Sequence, residues 1–402
     1  METNRLNFPV LLIALAAVGC GGNSGSGSNA PSPPPLVPPK EFKLELLSGI
    51  TAVDLSRCQS VNGAAASARF SRLLRATVYK DAVYLTETGE GCTNVVYDAR
   101  GVVPVEVQPA IRKLAGGTVK TTIQLNSYIT MMSHPVMVRY PSGFIRNESG
   151  KGGLVLGYAA ASSDQGFALD ATQVARYFEQ GGWDYYVPGL FKLSDSIAGY
   201  NDLVVGAPGK PPAVVDGQGK MAGFVAPHDL EANAAGVLYV IDDGRIRTID
   251  ASQQVKTLDH AALGITGTVK GLDSDPQGNI HVLSKRDGAS YSWHRLSDGF
   301  RLDFQTRQAV ISEPVTVETF TVLGDAILMA VRLPSGDTSL FRISATGEVK
   351  EVTGNKPVGS AQDFLDHPSE YMLPAVQHIE YGVDGHLYIV LPQGVLIARN
   401  YM

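Results

Sequence analysis

Cysteine is almost absent from this chain, with three in 402 residues, and no two of them stand at CxxC spacing. A disulfide-dense scaffold and a thioredoxin-like redox pair are therefore excluded. Charge is sparse as well: 18% of residues are charged, the net charge is -6, and no block of like charge occurs. Without a basic footprint there is nothing to hold a phosphate backbone, so no nucleic-acid partner is expected. No GxSxG elbow and no HExxH occur, which leaves a serine hydrolase or a zincin without motif support. Beyond the first twenty residues no stretch reads as a membrane span, and long helical periodicity is scarce.

What the chain does have is apolar residues and turns. It is 44% hydrophobic with 43 glycines, enough to bury a sizeable core. From Phe42 onward, short alternating apolar runs are bounded by Gly, Asp, Asn and Pro, the pattern of an all-β protein.

The amino terminus is of a different kind. METNRLNFPVLLIALAAVGC carries an arginine, an apolar run from Phe8 to Val18, then small residues, which is the layout of a secretory signal. Ala17-Val18-Gly19-Cys20 resembles the lipobox of bacterial lipoproteins, and the resemblance implies that Cys20 is acylated and becomes the first residue after cleavage. Residues 21–40, GGNSGSGSNAPSPPPLVPPK, pass from a Gly/Ser coil to a proline-rich stretch and read as a tether. No aspartate follows Cys20, which by the lipoprotein sorting rule implies the outer membrane of a bacterial cell envelope, with the membrane itself as a partner through the lipid. The expected domains are a signal peptide over 1–20, a linker over 21–41 and one folded domain over 42–402. If Cys20 carries lipid, Cys58 and Cys92 remain as an even pair in an oxidising compartment, and a disulfide between them is expected.

Internal repetition decides the type of β fold. The clearest unit spans 222–258 and divides into strands expected at 228–232, 237–241, 245–250 and 254–258. Similar units occupy 271–304, 317–352 and 378–400, with two more divergent ones at 75–107 and 135–179, giving six. The order Asp216-Gly217-Gln218-Gly219, Phe224, Pro227, Leu238-Tyr239-Val240-Ile241-Asp242, Ile246-Arg247 and Val255-Lys256-Thr257-Leu258 resembles the NHL repeat, and Ile111-Arg112-Lys113-Leu114-Ala115-Gly116-Gly117 repeats part of it. The resemblance implies a six-bladed β-propeller of four-stranded blades. The last unit has only three strands, whereas 42–47 reads as an orphan strand, so the amino-terminal strand is expected to complete the last blade and close the ring.

The stretch VVDGQGKMAGF, from Val214 to Phe224, looks at first like a phosphate loop. Lys220 is followed by Met221 rather than Ser or Thr, and a strand follows rather than a helix, so its glycines read as turn formers between blades. Asp273-Ser274-Asp275-Pro276-Gln277-Gly278-Asn279 has the opening of a calcium loop but no distal glutamate, and reads as an inter-strand turn. Trp183, Tyr185 and Tyr186 form an aromatic cluster that reads as packing.

Side chains just before each inner strand would converge on the channel mouth: Arg75, His134, His228 with Asp229, Lys270, Glu318, and Gln377 with His378. His134, His228 and His378 come from three units, and three imidazoles with one open position would suit zinc or another divalent metal. A similar arrangement in peptidyl-hydroxyglycine lyases implies a competing reading, a metal-dependent lyase or hydrolase. The preferred expectation is a binding or scaffold module without a cofactor, whose partner is an envelope protein, peptide or glycan.

Overall fold

The computed structural model describes residues 42–51, 59–79, 81–87, 93–98, 101–106, 110–124, 166–170, 176–177, 183–184, 189–193, 203–206, 213–225, 227–288, 290–306 and 316–401. Every described residue lies in the compact unit that begins at Lys40.

Five antiparallel sheets of four or five strands form a β-propeller. The first blade runs outward through Leu73–Tyr79, Ala82–Glu87, Ala110–Ala115 and Thr118–Gln124. The second comprises Pro227–Ala232, Leu238–Asp242, Arg245–Ile249 and Gln254–Thr257. The third comprises Thr268–Ser274, Ile280–Asp287, Ser290–Arg295 and Phe300–Gln305. The fourth comprises Thr316–Leu323, Ala326–Arg332, Thr338–Ser344 and Val349–Glu351. The fifth has His378–Tyr381, Leu387–Leu391 and Gly394–Ala398, and its outer strand is Glu45–Gly49. Inner strands of successive blades lie side by side from the second through to the fifth, and the fifth adjoins the first.

The expected strands of the second blade each lie within a residue or so of those observed, because the Gly and Asp turns that bound them leave little choice of register. Ring closure by the amino-terminal strand is also present. It begins at Glu45 rather than Phe42, and pairs Glu45 with Ile397 and Gly49 with Gly394. Its partner strand is fully buried along its length, so the closing strand covers what would otherwise be an apolar sheet edge.

The blade count is corrected from six to five. Among the described residues the unit expected at 135–179 does not make a blade. Its described residues supply one strand, Gly166–Asp170, and one side of a two-residue ladder between Arg176–Tyr177 and Trp183–Asp184. Gly166–Asp170 pairs with Gly189–Leu193, which pairs with Leu203–Val205, both beyond the expected unit. That three-stranded sheet lies beside the inner strand of the second blade, and no fourth strand joins it among the described residues. Turn residues and apolar stretches sufficed to mark a unit there, but they do not by themselves fix four paired strands.

Two blades carry a fifth, outermost strand that the sequence reading missed. Gly63–Ala64 pairs with Thr118 and Val119, and Gly217–Gln218 pairs with Gln254 and Val255. Each belongs to a lead-in loop closed by one bridge, Val61 to Arg69 and Val215 to Gly223. The two loops align residue for residue, VNGAAASARF over 61–70 with VDGQGKMAGF over 215–224. The stretch that resembled a phosphate loop is thus an outer-edge lead-in, in which Gly219 adopts φ +54°, a left-handed conformation that favours glycine.

Behind each loop an arginine is sealed in the blade. Arg247 donates to Asp242 Oδ2 at 2.8 Å, to the Gly223 carbonyl at 2.5 Å, and to Val215 O and Asp216 Oδ1 at 2.7 and 3.1 Å. Its guanidinium lies 4.4 Å from the Phe224 ring centroid. Arg112 repeats this plan with Glu87 Oε2 and Ser60 Oγ, both at 2.6 Å, Asn62 Oδ1 at 3.0 Å, and the Phe70 ring. The terminal amino groups of each buried charge are met in this way, whereas the Nε of both arginines is buried without a hydrogen-bond partner among the described residues.

Candidate functional site

The inner strand of a propeller blade has one edge without a strand partner, so half of its N–H groups need acceptors from elsewhere. Here side chains of the preceding blade provide them. Asp229 Oδ2 accepts the Leu272 amide at 2.7 Å, Asp273 Oδ2 the Val322 amide at 2.7 Å, and Thr321 Oγ1 the Tyr381 amide at 3.0 Å. His378 Nδ1 receives the Ala76 amide at 3.5 Å, which carries the pattern from the fifth blade to the first. Each contact ties one blade to the next around the channel.

Thr77, Glu231, Asp273, Thr321 and Glu380 occupy one register, lying opposite Tyr84, Tyr239, His281, Leu328 and Tyr388 on the second strands. All five are buried. Three of them are acids, joined by Asp229, and Arg75 is the cation set among them. Arg75 Nη1 is paired with Asp229 Oδ1, and Nη2 donates to Glu231 Oε1 at 2.6 Å. Glu231 Oε2 accepts from Ser274 Oγ at 2.9 Å. One arginine of the first blade thus grips two carboxylates of the second.

The electrostatics follow from burial. Removal from water works against the Arg75 charge, but Asp229, Glu231 and Glu380 outweigh it and hold the guanidinium protonated. Burial also pushes the Glu231 carboxyl well above the usual range; Arg75 pulls the other way, and Asp273, Asp229 and Glu380 add to the push. Burial, with Arg75 alongside, drives the His378 imidazole well below its ordinary value, so it stays neutral and able to accept an amide.

Of the residues expected at the channel mouth, the structure brings Arg75, Asp229 and His378 to the channel. Lys270 is exposed at a bulge, and Glu318 pairs with Arg332 at 3.3 Å. Gln377 donates its backbone N–H to Val390 O. His228 lies on the second blade's inner strand opposite Ile241. His134, Cys20, Cys58, Cys92, Tyr185 and Tyr186 lie outside the described residues. Among the described residues no three His, Cys, Asp or Glu side chains gather as metal ligands. Asp275 closes the turn at 275–279 by accepting from the Gln277 and Asn279 amides, as a turn requires.

Glu231, Asp273, Thr321 and Glu380 were missed from sequence. A signal was there in Leu230-Glu231, Leu272-Asp273 and Ile379-Glu380, an acid after an apolar residue just before the turn. It lay further along the inner strand than the mouth positions first considered.

No known family matches the sequence, and no curated protein does. Neither the NHL-repeat family nor the bacterial lipoproteins are therefore supported as its family, which corrects that identification. Solved structures are similar at low identity. A protein of unknown function from Bacteroides thetaiotaomicron is 12% identical with a TM-score of 0.47, over 89% of this chain and 75% of that one. Virginiamycin B lyase from Staphylococcus aureus is 11% identical with a TM-score of 0.36, over 87% and 82%. The WD40 propeller domain of Doa1 is 10% identical with a TM-score of 0.39, over 84% and 97%.

Proposed function

We propose that the protein is a non-catalytic binding module, displayed at a cell envelope by its amino-terminal segment, whose propeller presents a rim to a protein or peptide partner. The observation that carries this reading is the state of the channel. The side chains that converge there are engaged with one another and with the inner-strand amides of the next blade, which is what a rigid frame needs. Recognition then falls to loops carried on that frame.

The most prominent such feature among the described residues is a hairpin inserted in the first blade. Thr93–Asp98 pairs with Gly101–Glu106 between that blade's second and third strands. In an antiparallel meander this junction lies at the end where the inner strand begins, so the hairpin rises from that rim. Its sequence, TNVVYD followed by GVVPVE, is apolar for an extension beyond a blade, and apolar extensions of that kind suit protein docking.

The test replaces 93–106 by a short Gly/Ser turn and cross-links both proteins in living cells. Cross-linked partners lost in the variant, with its melting temperature unchanged, are the expected result. Identical cross-links, or none with either protein, would overturn the reading. Display at the envelope is tested by Cys20→Ser, which is expected to move the protein from the membrane to the soluble fraction; unchanged fractionation would refute the anchor.

A further inference from the structure

The segment 258–267 links the outer strand of the second blade to the inner strand of the third, and an imidazole fastens it. Ile246, on the third strand of the second blade, accepts the Leu258 amide at 2.9 Å, just past the end of the fourth strand. The ladder would next need a carbonyl to receive the Ile246 N–H. His260 Nε2 takes that place at 3.0 Å. The strap then turns on Asp259, whose carboxylate accepts the Ala261 and Ala262 amides, and Arg301 of the third blade holds its far end through Gly264 O at 2.9 Å. Ile265 inserts among Ile241, Ile246, Val269 and Val282, the apolar seam between the two blades, with Leu263 packed against it.

We propose that His260 is an acid-operated latch on this seam: protonation releases the strap and exposes apolar surface between the second and third blades. A neutral imidazole accepts a hydrogen bond through one nitrogen, whereas an imidazolium has two N–H donors and no acceptor. Protonated His260 therefore sets an N–H against the Ile246 N–H, and the ring must leave. The charged and titratable groups that act on it are Asp259 on the strap, Arg245 on the strand turn beneath and His294 of the third blade, and His294 in turn feels Arg301 and Asp303. Arg301 and Asp303 pair with each other at 2.9 Å, and Arg245 pairs with Asp243.

Burial, with Arg245 adding to it against Asp259, lowers the His260 imidazole below its ordinary value. The unlatched form thus binds the proton more readily than the latched one. The latch holds at and above the free imidazole range, about 6.5, and weakens as pH falls from there towards the lowered value, the opening constant rising by at most about tenfold per pH unit.

Hydrogen exchange of the full-length protein between pH 7.5 and 5, corrected for intrinsic exchange, tests this. Protection at the Ile246 amide and across 258–266 is expected to fall with pH in the wild type and to stay flat in His260→Gln, whose side-chain carbonyl accepts at every pH. Protection unchanged down to pH 5, an equal loss in His260→Gln, or a loss abolished only by His294→Gln would each overturn the proposal. Should the glutamine variant fail to hold the strap at pH 7.5, the wild-type imidazole resonance decides. A His260 titration that coincides with the loss of protection supports the latch, and one without it overturns the latch.

Discussion

One topological position reads differently in each blade, and the comparison is instructive. The site pairs one residue of the third strand with the residue two beyond its partner on the second. In the first and second blades it holds Arg112 with Glu87 and Arg247 with Asp242. In the third it holds His294 near Ser284, in the fourth Phe341 near Val331, and in the fifth Leu396 near Leu391. The same fold is thus stabilised by an ion pair at one end of the series and by aliphatic packing at the other. The difference follows the lead-in loop. The two arginines reach beyond their own sheet to Asn62 and to Val215 and Asp216, and the blades in which no such loop occurs among the described residues have no arginine there. The buried cation nails the loop to the blade; the β-meander itself does not require it.

The comparison breaks most visibly if one partner is removed. Arg247→Met removes the charge that pairs with the buried Asp242, which keeps the Val225 amide, and chemical denaturation is expected to show a loss of about 3–5 kcal/mol, with Arg112→Met in the same range. Converting the second blade to the pattern of the fifth, Arg247→Leu with Asp242→Leu, is expected to regain most of that loss, because an apolar pair of suitable volume replaces a buried ion pair at little cost. A double variant no more stable than Arg247→Met would show that the loop contacts carry the energy. The reverse graft, His294→Arg with Ser284→Asp, places an arginine where no lead-in loop answers its second amino group. A loss of about 1–3 kcal/mol from an unsatisfied donor is expected in the same assay.

The smallest effect concerns the polar side chain that each lead-in loop offers its arginine. Burial is the largest single influence on Asp216 and raises its carboxyl, but the hydrogen bonds from Thr257 and then Arg247, with the Arg247 charge, together outweigh it and hold the carboxyl below the usual range. Asn62 is the neutral equivalent. A depressed carboxylate gives stability that is complete above its unfolded value, about 3.9, and lost as pH falls through the folded one. Asp216→Asn is therefore expected to lower stability modestly at pH 7, to flatten its dependence on pH below about 4, and to match the wild type only at the acid end. Unfolding curves of equal acid sensitivity in both proteins would contradict this.

Much of the architecture could be read before the coordinates. Val-Leu-Tyr-Val-Ile-Asp between Gly236 and Gly244 leaves no other placement for a strand, and the lone Glu45–Gly49 strand has a natural partner in Gly394–Ala398. Repetition was harder to read when it changed chemistry. Asn62 and Asp216 do the same work, yet VNGAAASARF shares few side chains with VDGQGKMAGF, so the first lead-in loop went unseen. The blade count erred for the opposite reason, since turn residues and apolar stretches over 135–179 imitate a unit without fixing its strand pairing. The channel layer was hidden because its rule concerns orphan amides. Thr321 and Asp273 serve those alike, and hydrophobic periodicity takes no account of them.

The closing strand sets the order in which the molecule can be made. Arg399 reaches Glu45 across a sequence separation of 354 residues, and no local contact can stand in for that pairing. While the chain emerges from the ribosome or a translocation pore, Glu45–Gly49 must wait as an unpaired β-segment until Gly394–Ala398 arrives. Synthesis thus passes through a long interval with an apolar sheet segment open to misannealing. A holdase acting on that interval, rather than any further contact in the finished ring, would govern the yield of native protein.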